Sequence, residues 1–441
     1  MRILVGMVAA VLSATPASAK FDVPVTPGTD IHAAVTAAIA AHPGEILRIG
    51  RGNYTLSGPL DFTLGGGGLE GDGVSETIIA FTGTSTAPLR YPGNRCAIRF
   101  GPGGEDLPYG RTIDGALLRG LSLIAAPAMS RAGDCGVKVE QAVNVRMTDV
   151  DVSNFPILID LVGASNVFLT NVKVYRASTP APAGGAVPGD GQPVAGSRYL
   201  RVRAGYRAGD RDFRTRGTAA AQTTYGVFLS NVALTGAGVG DPGTEVGIEL
   251  LASDGFYMAG PNYVGQAIHL MDIRPENDQP SVYVGNVTIT GALFDGNLRQ
   301  SSDGIRILTN MTGKPRPVTK VAISGNVVTH FRSDAVRLAN PLADGISITG
   351  NAIFGGNRSC LDLTASMQVT VSGNSFGSCG SAGIAGSGAI LYSEGNTVVG
   401  VVGNTFVGTA AATDIVAPTM PTNLKQGFNA TSLRTPVPVY Q

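Results

Sequence analysis

The sequence predicts an all-β fold wound as a parallel solenoid with one helix at its N-terminal end. Two observations carry that reading. One unit recurs as VTITGALFDG (287–296), VAISGNVVTHF (321–331), ISITGNAIFGG (346–356), VTVSGNSFGS (369–378) and VVGVVGNTFVG (398–408). Each copy is an alternating aliphatic strand, then Gly-Asn or a near relative, then an aromatic residue or its equivalent. A second short strand lies between copies: DGIRIL (303–308), DAVRLA (334–339), SCLDLT (359–364) and AGIAGS (382–387). Successive copies are roughly 20–35 residues apart, the period of a solenoid coil with variable loops. A short strand cannot bury its apolar face alone, so coil must stack on coil. Antiparallel hairpins would instead show tight two-residue turns between strands.

Composition agrees with a large core. The chain has 441 residues, 43% hydrophobic and 15% charged, with 61 glycines and no tryptophan. That apolar content excludes disorder. Formal net charge is zero, which disfavours a nucleic-acid partner.

Along the chain, residues 1–19 read as an export signal. Arg2 supplies the positive start, Ile3 to Leu12 the apolar run, and Ala17-Ser18-Ala19 the small-residue cleavage site. That run is too short for a membrane span, and the expected location is secreted or periplasmic. Next, Thr29-Asp30 caps a helix, IHAAVTAAIAAH, with Ile31, Val35 and Ile39 on one face. EILRIGRGNYTLSGPLDF and GLEGDG follow as the first strands. Fainter copies of the repeat are VNVRMTDVDVSNF (143–155), SNVFLTNVKVY (165–175) and TYGVFLSNVALTG (224–236). A long insertion, 177–223, separates the last two. The solenoid domain is expected over 20–415, and 416–441 is a proline-rich extended tail.

The repeat, the N-terminal helix and the strand with GxYxL resemble the right-handed parallel β-helix of the pectate-lyase-like superfamily, which includes phage tailspike-type proteins. The resemblance covers roughly residues 28–410. It implies a fold and a polysaccharide substrate, and a homo-oligomer by likeness to trimeric tailspikes. It does not imply a reaction. The polygalacturonase NTD, DD and GHG set is absent, as are DPHD of the alginate-epimerase type and vWiDH of the pectate lyases.

Four cysteines, Cys96, Cys135, Cys360 and Cys379, permit three pairings. Nearest-neighbour pairing, Cys96–Cys135 and Cys360–Cys379, is the expectation in an oxidising compartment. No CxxC metal spacing occurs.

Strand alternation nominates outward residues. From GVKV, LIDL, GVFL, GIEL, AIHL, GIRI, AVRL and CLDL these are Lys138, Asp160, Phe228, Glu249, His269, Arg306, Arg337 and Asp362. Stacked coils would set them about 4.8 Å apart in one ladder. Glu249 beside His269 makes an acid–base pair, and Arg306 beside Arg337 a carboxylate site. Opposite charges pairing along an exposed sheet is the bland alternative.

The insertion holds seven arginines, Arg198, Arg201, Arg203, Arg207, Arg211, Arg214 and Arg216, with Tyr199, Tyr206 and Phe213. Arg203, Arg207 and Tyr206 are expected to bind an anionic polysaccharide, guanidinium to uronate carboxylate and ring to sugar. Internal pairing with Asp190, Asp210 and Asp212 is the alternative. Asp272, Glu276 and Asp278 lie close enough in sequence to suggest Ca²⁺, although a solvated loop fits as well. Otherwise no cofactor or metal is expected. Asp254, Tyr257 and Tyr263 complete the candidates, the tyrosines as proton donors or sugar platforms.

Three functions follow. A uronate lyase would use Arg306 and Arg337 on the carboxylate, His269 as base, and Tyr257 or Tyr263 as acid. A tailspike-like glycoside hydrolase or transglycosylase would pair Glu249 with Asp254 or Asp272. A non-catalytic adhesin or binding protein would use the same groove without turnover. Lyase is the leading reading, with Asp272, Phe228 and Tyr263 among the substrate contacts.

Overall fold

The computed structural model describes residues 19–83, 96–101, 113–126, 135–175, 197–205, 223–236, 244–278, 282–296, 302–310, 312–380, 388–407, 415–416, 424–427 and 429–431. Within them the repeat behaves as its pattern requires. Each full coil supplies three strands, and equivalent strands of successive coils pair side by side. Every described pairing is parallel, which makes a right-handed parallel β-helix.

Three sheets run along the axis. The first includes Cys135–Glu140, Ile157–Val162, Arg198–Arg203, Thr244–Leu250, Ala267–Ile273, Asp303–Leu308 and Asp334–Ala339, and continues into the start of Ser359–Ser372. The second includes Thr224–Ser230, Ser253–Ala259, Val284–Thr290, Val318–Ser324 and Ala343–Thr349. The third includes Ala233–Thr235, Tyr263–Gly265, Leu293–Asp295, Val327–Phe331 and Ala352–Gly356.

The core is the column between them. Ile248, Met271, Ile305, Val336 and Leu361 stand in register and are fully buried. Phe376 and Phe406 stack at 5.4 Å on neighbouring coils. Burial of this apolar surface drives winding, at roughly 25 cal/mol per Å² removed from water.

The Gly-Asn pairs divide their labour. Gly350 takes φ 63°, which glycine adopts without strain. The next residue, Asn351, is buried in a polar column. Its Oδ1 accepts from Asn326 N and Nδ2, both at 3.0 Å. Its Nδ2 donates to Ile323 O at 2.9 Å and to Asn374 Oδ1 at 2.9 Å. Asn404 and Asn429 extend the column.

The helix spans His32–Ala41 over the first coil, with Ile31, Val35 and Ala38 buried and Ile39 packed beside them. Asp30 Oδ1 accepts from His32 N at 3.1 Å and from Ser57 N at 3.1 Å, tying the helix start to the sheet. Both disulfides form as nearest neighbours, Cys96–Cys135 and Cys360–Cys379.

Two boundaries differ from the sequence reading. Arg198–Arg203, inside the 177–223 insertion, is a strand of the first sheet. Strands Leu424–Gly427 and Ala430–Thr431 still pair with the solenoid beyond residue 415. Proline and glycine mask the aliphatic pattern there. The export signal, residues 1–18 of it, lies outside the described residues.

Candidate functional site

Register fixes which side chains share the outer wall of the first sheet. Coil by coil, the stacked positions are Asp61, Arg99, Lys138, Asp160, Arg201, Glu249, Asp272, Arg306, Arg337 and Asp362. Six of the expected ladder residues stand in it. The other two do not. His269 lies three residues before Asp272 and pairs in register with Val246 and Asp303 instead. The segment that stacks on GIEL is LMDI (270–273), so reading the ladder position from AIHL picks a side chain three residues too early. Phe228 belongs to the second sheet, stacked between Phe168 and Tyr257 with ring centroids 4.9 and 5.0 Å apart. Its GVFL resembles GIEL in composition but comes from a different wall of the coil.

The arginine-rich segment proves largely self-neutralising where it is described. Arg201 and Arg203 both grip Asp160 with paired N–H donors, at 2.9 to 3.3 Å. Arg198 Nε donates to Glu249 Oε2 at 3.0 Å, and its Nη1 to Glu245 at 3.2 Å. All three arginines are buried. Arg203 thus has a buried carboxylate as its partner. Tyr206, Arg207, Arg211, Phe213, Arg214 and Arg216, like Asp190, Asp210 and Asp212, lie outside the described residues.

Further along, Arg306 donates to both oxygens of Asp272, at 2.7 and 2.6 Å. Arg274 bridges Glu249 and Asp272 at 3.3 and 3.7 Å. Arg358 bridges Asp334 and Asp362, and Arg337 lies 3.6 Å from Asp362. His269 Nδ1 sits 3.3 Å from Asp303 Oδ2, and Arg306 Nη1 3.5 Å from the same oxygen.

The charges are layered. Glu249, Asp272 and Asp334 side chains have no exposed surface, and Asp303 and Asp362 nearly none. Over them Arg337 and Arg358 are 37% and 35% exposed, Arg274 21% and Arg306 13%. Carboxylates form the floor and guanidiniums the surface. One arginine comes from each of four successive coils, at a step of about 4.8 Å.

Electrostatics follow from this packing. Burial pushes the Glu249 carboxyl up, but Arg198 and Arg274 outweigh it and hold it down at about 2. Burial acts likewise on Asp160, and Arg201 and Arg203 drive it well below the carboxylate range. Burial also opposes ionisation of Asp303, and His269 and Arg306 reverse it. Asp334 goes the other way: burial raises it and Arg358 does not fully compensate. Glu249 is therefore a fixed anion at any ordinary pH, and no proton donor.

The remaining candidates are dispersed. Asp254 and Tyr257 are on the second sheet, where Asp254 accepts from Tyr283 Oη at 2.7 Å and Asn286 Nδ2 at 2.5 Å. Tyr263 is on the third. Glu249 and Asp254 therefore do not share a wall, nor does either tyrosine with His269. Glu249 and Asp272 are neighbours, but both are occupied by arginines. The three acidic residues after His269 also part company: Asp272 binds Arg306, while Asp278 binds Asn310 and Lys314. Among the described residues no group of three or more His, Cys, Asp or Glu is arranged to hold a metal. No described helix is long and apolar enough to cross a membrane.

Asp303, Asp334 and Arg358 escaped the sequence reading. A signal was present: DGIRIL and DAVRLA each place Asp three residues before the ladder arginine.

No protein-family model matches the chain, and no curated protein matches it in sequence. Solved structures do. PfbA, a surface adhesin of Streptococcus pneumoniae, aligns at 13% identity over 89% of this chain and 90% of its own, with TM-score 0.63. The A-module of the Azotobacter vinelandii mannuronan C-5 epimerase AlgE6 aligns at 16% identity over 94% of this chain and 100% of its own, TM-score 0.57. The tailspike of E. coli bacteriophage HK620 aligns at 14% identity over 92% of this chain and 64% of its own, TM-score 0.56. At these identities the likeness establishes the fold alone: this chain is a right-handed parallel β-helix.

Proposed function

We propose that the chain is an exported polysaccharide-acting β-helix that cleaves a uronate-containing polymer by β-elimination on the first sheet. The observation that carries this is the layering of exposed guanidiniums over buried carboxylates, with His269 at its edge. On this wall the arginine side chains are more exposed than the carboxylates they pair with, and an outward guanidinium suits an anionic ligand. Arg337 is the best placed for the carboxylate, being the most exposed and only loosely tied to Asp362. Arg306 stands beside it but is held by Asp272.

Elimination needs the C5 proton removed while the carboxylate charge is stabilised, and the C4–O bond broken. His269 is the one histidine on this wall, and its Nε2 has no partner among the described residues. Nε2 takes the C5 proton, the electron pair forms the C4–C5 double bond, and the leaving oxygen departs. When C5–H and C4–O lie on one side of the ring, the same imidazolium returns its proton to that oxygen. No tyrosine is then required as acid. Names among the structural neighbours lend support: one acts at C-5 of a uronan, and a tailspike was solved with a pentasaccharide.

Incubation of the protein with acidic and neutral polysaccharides tests this, read by near-ultraviolet absorbance of the unsaturated product and by reducing ends. An absorbance rise with a uronan, abolished by His269→Gln, is expected. Reducing ends without absorbance would replace elimination with hydrolysis. Saturable binding with neither would replace catalysis with adhesion.

A further inference from the structure

We infer that Asp303 is the positioning residue for His269, holding the proton on Nδ1 so that Nε2 presents its lone pair to the ligand. This rests on the reading of His269 as the base. The two residues occupy the same register position on adjacent coils, so the backbone pairing itself brings them together. Nδ1 lies 3.3 Å from Asp303 Oδ2. Asp303 is in turn fixed on two other sides. Asp334 N donates to its Oδ1 at 3.3 Å, and Arg306 Nη1 lies 3.5 Å from its Oδ2.

Burial distinguishes this pair from the others in the chain. Asp303 is 5% exposed and the His269 ring 18%. His330 with Asp295, and His42 with Glu45, are pairs in which both side chains remain substantially exposed to water. A carboxylate screened from water and held ionised by a guanidinium fixes one imidazole tautomer, because only an N–H can face it. Arg306 therefore acts on the carboxylate, the carboxylate on Nδ1, and Nδ1 on the nitrogen that meets the substrate.

Imidazole ¹⁵N NMR on the full-length, oxidised protein tests this, with His269→Gln assigning the signals. The wild type is expected to show His269 protonated at Nδ1 and bare at Nε2 at neutral pH. In Asp303→Asn the amide donates to Nδ1, so the proton should move to Nε2. On any uronan the protein cleaves, Asp303→Asn should lower kcat about a hundredfold or more with KM changed less than about threefold. A wild-type ring protonated at Nε2, or an unchanged tautomer in Asp303→Asn, overturns the inference. The wild-type spectrum decides even if the variant does not fold. If no polysaccharide is cleaved, the function proposed above fails, while the tautomer still answers for Asp303.

Discussion

Arg198 and Glu249 form a buried ion pair across adjacent coils, Nε to Oε2 at 3.0 Å, with the Glu249 side chain wholly inside. Such a pair contributes little over a well-packed apolar pair, but breaking it leaves a buried charge without its partner. Glu249→Gln is therefore expected to destabilise the fold by about 3–5 kcal/mol. The double variant Arg198→Met, Glu249→Leu should recover most of that loss. Denaturant unfolding of the four proteins in a double-mutant cycle reads both effects. Full additivity of the single variants would show that the two side chains do not interact.

Acid should unfold the protein through the same residue. Glu249 is held at about 2 in the fold against an ordinary value of 4.5. Between those values the unfolded chain binds more protons than the folded one, so stability rises with pH. The contribution is complete above 4.5 and disappears as pH falls through 2. Asp160, also depressed, acts in the same direction. Asp334 has the opposite sign: burial raises it, so its contribution is greatest in acid and is lost as pH rises. Thermal midpoints should be level above about pH 5 and drop steeply below it, and Glu249→Gln should flatten the drop.

Arg337 and Arg306 should respond differently to the same change. Arg337 is more than a third exposed and tied only loosely, at 3.6 Å, to Asp362. Arg337→Ala should leave stability within about 0.5 kcal/mol and weaken uronate-oligosaccharide binding about tenfold. Arg306→Ala takes both charged hydrogen bonds from the fully buried Asp272, leaving it Arg274 at 3.7 Å, and should cost about 3 kcal/mol or more. Calorimetry for binding and denaturant for stability separate the two. Equal stability losses would mean that the charged surface is a structural network rather than a binding one.

How far the sequence leads depends on which interaction sets a position. Apolar period and the Gly-Asn bend are local, so the solenoid, the capping helix and both disulfides were legible. Outward residues were legible wherever the strand is regular, as at Glu249, Arg306 and Arg337. His269 was misplaced because AIHL and the following LMDI both offer an apolar-flanked polar residue, and only the pairing between coils shows that LMDI is the one in register. Asp303 showed itself only as an aspartate three residues before the ladder arginine, and neither its role nor that of Arg358 could be read from one coil. His269 meets Asp303, and Asp334 meets Arg358, only across coils, whereas Asp362 lies four residues after Arg358. Burial was the hardest property to foresee. Nothing in GIEL or RYLRVR says that Glu249 or Arg201 is covered.

The asparagine column gives a prediction independent of any activity. Asn351 joins three coils, accepting from Asn326 and donating to Ile323 O and Asn374 Oδ1. Asn351→Ala removes one acceptor and two donated bonds. It also leaves the Asn326 backbone N–H and the Ile323 carbonyl side-chain partner missing in a buried place. At about 1–3 kcal/mol for each buried group left unsatisfied, a loss of about 3 kcal/mol or more is expected. Asn351→Asp keeps the acceptor but places a carboxylate against Asn374 Oδ1, where a donor is needed. It should be no better than alanine at neutral pH and should improve in mild acid, when a protonated carboxyl can donate. Denaturant midpoints of both variants at two pH values measure this. An Asn351→Ala loss below about 1 kcal/mol would show that the coils are held by apolar packing alone.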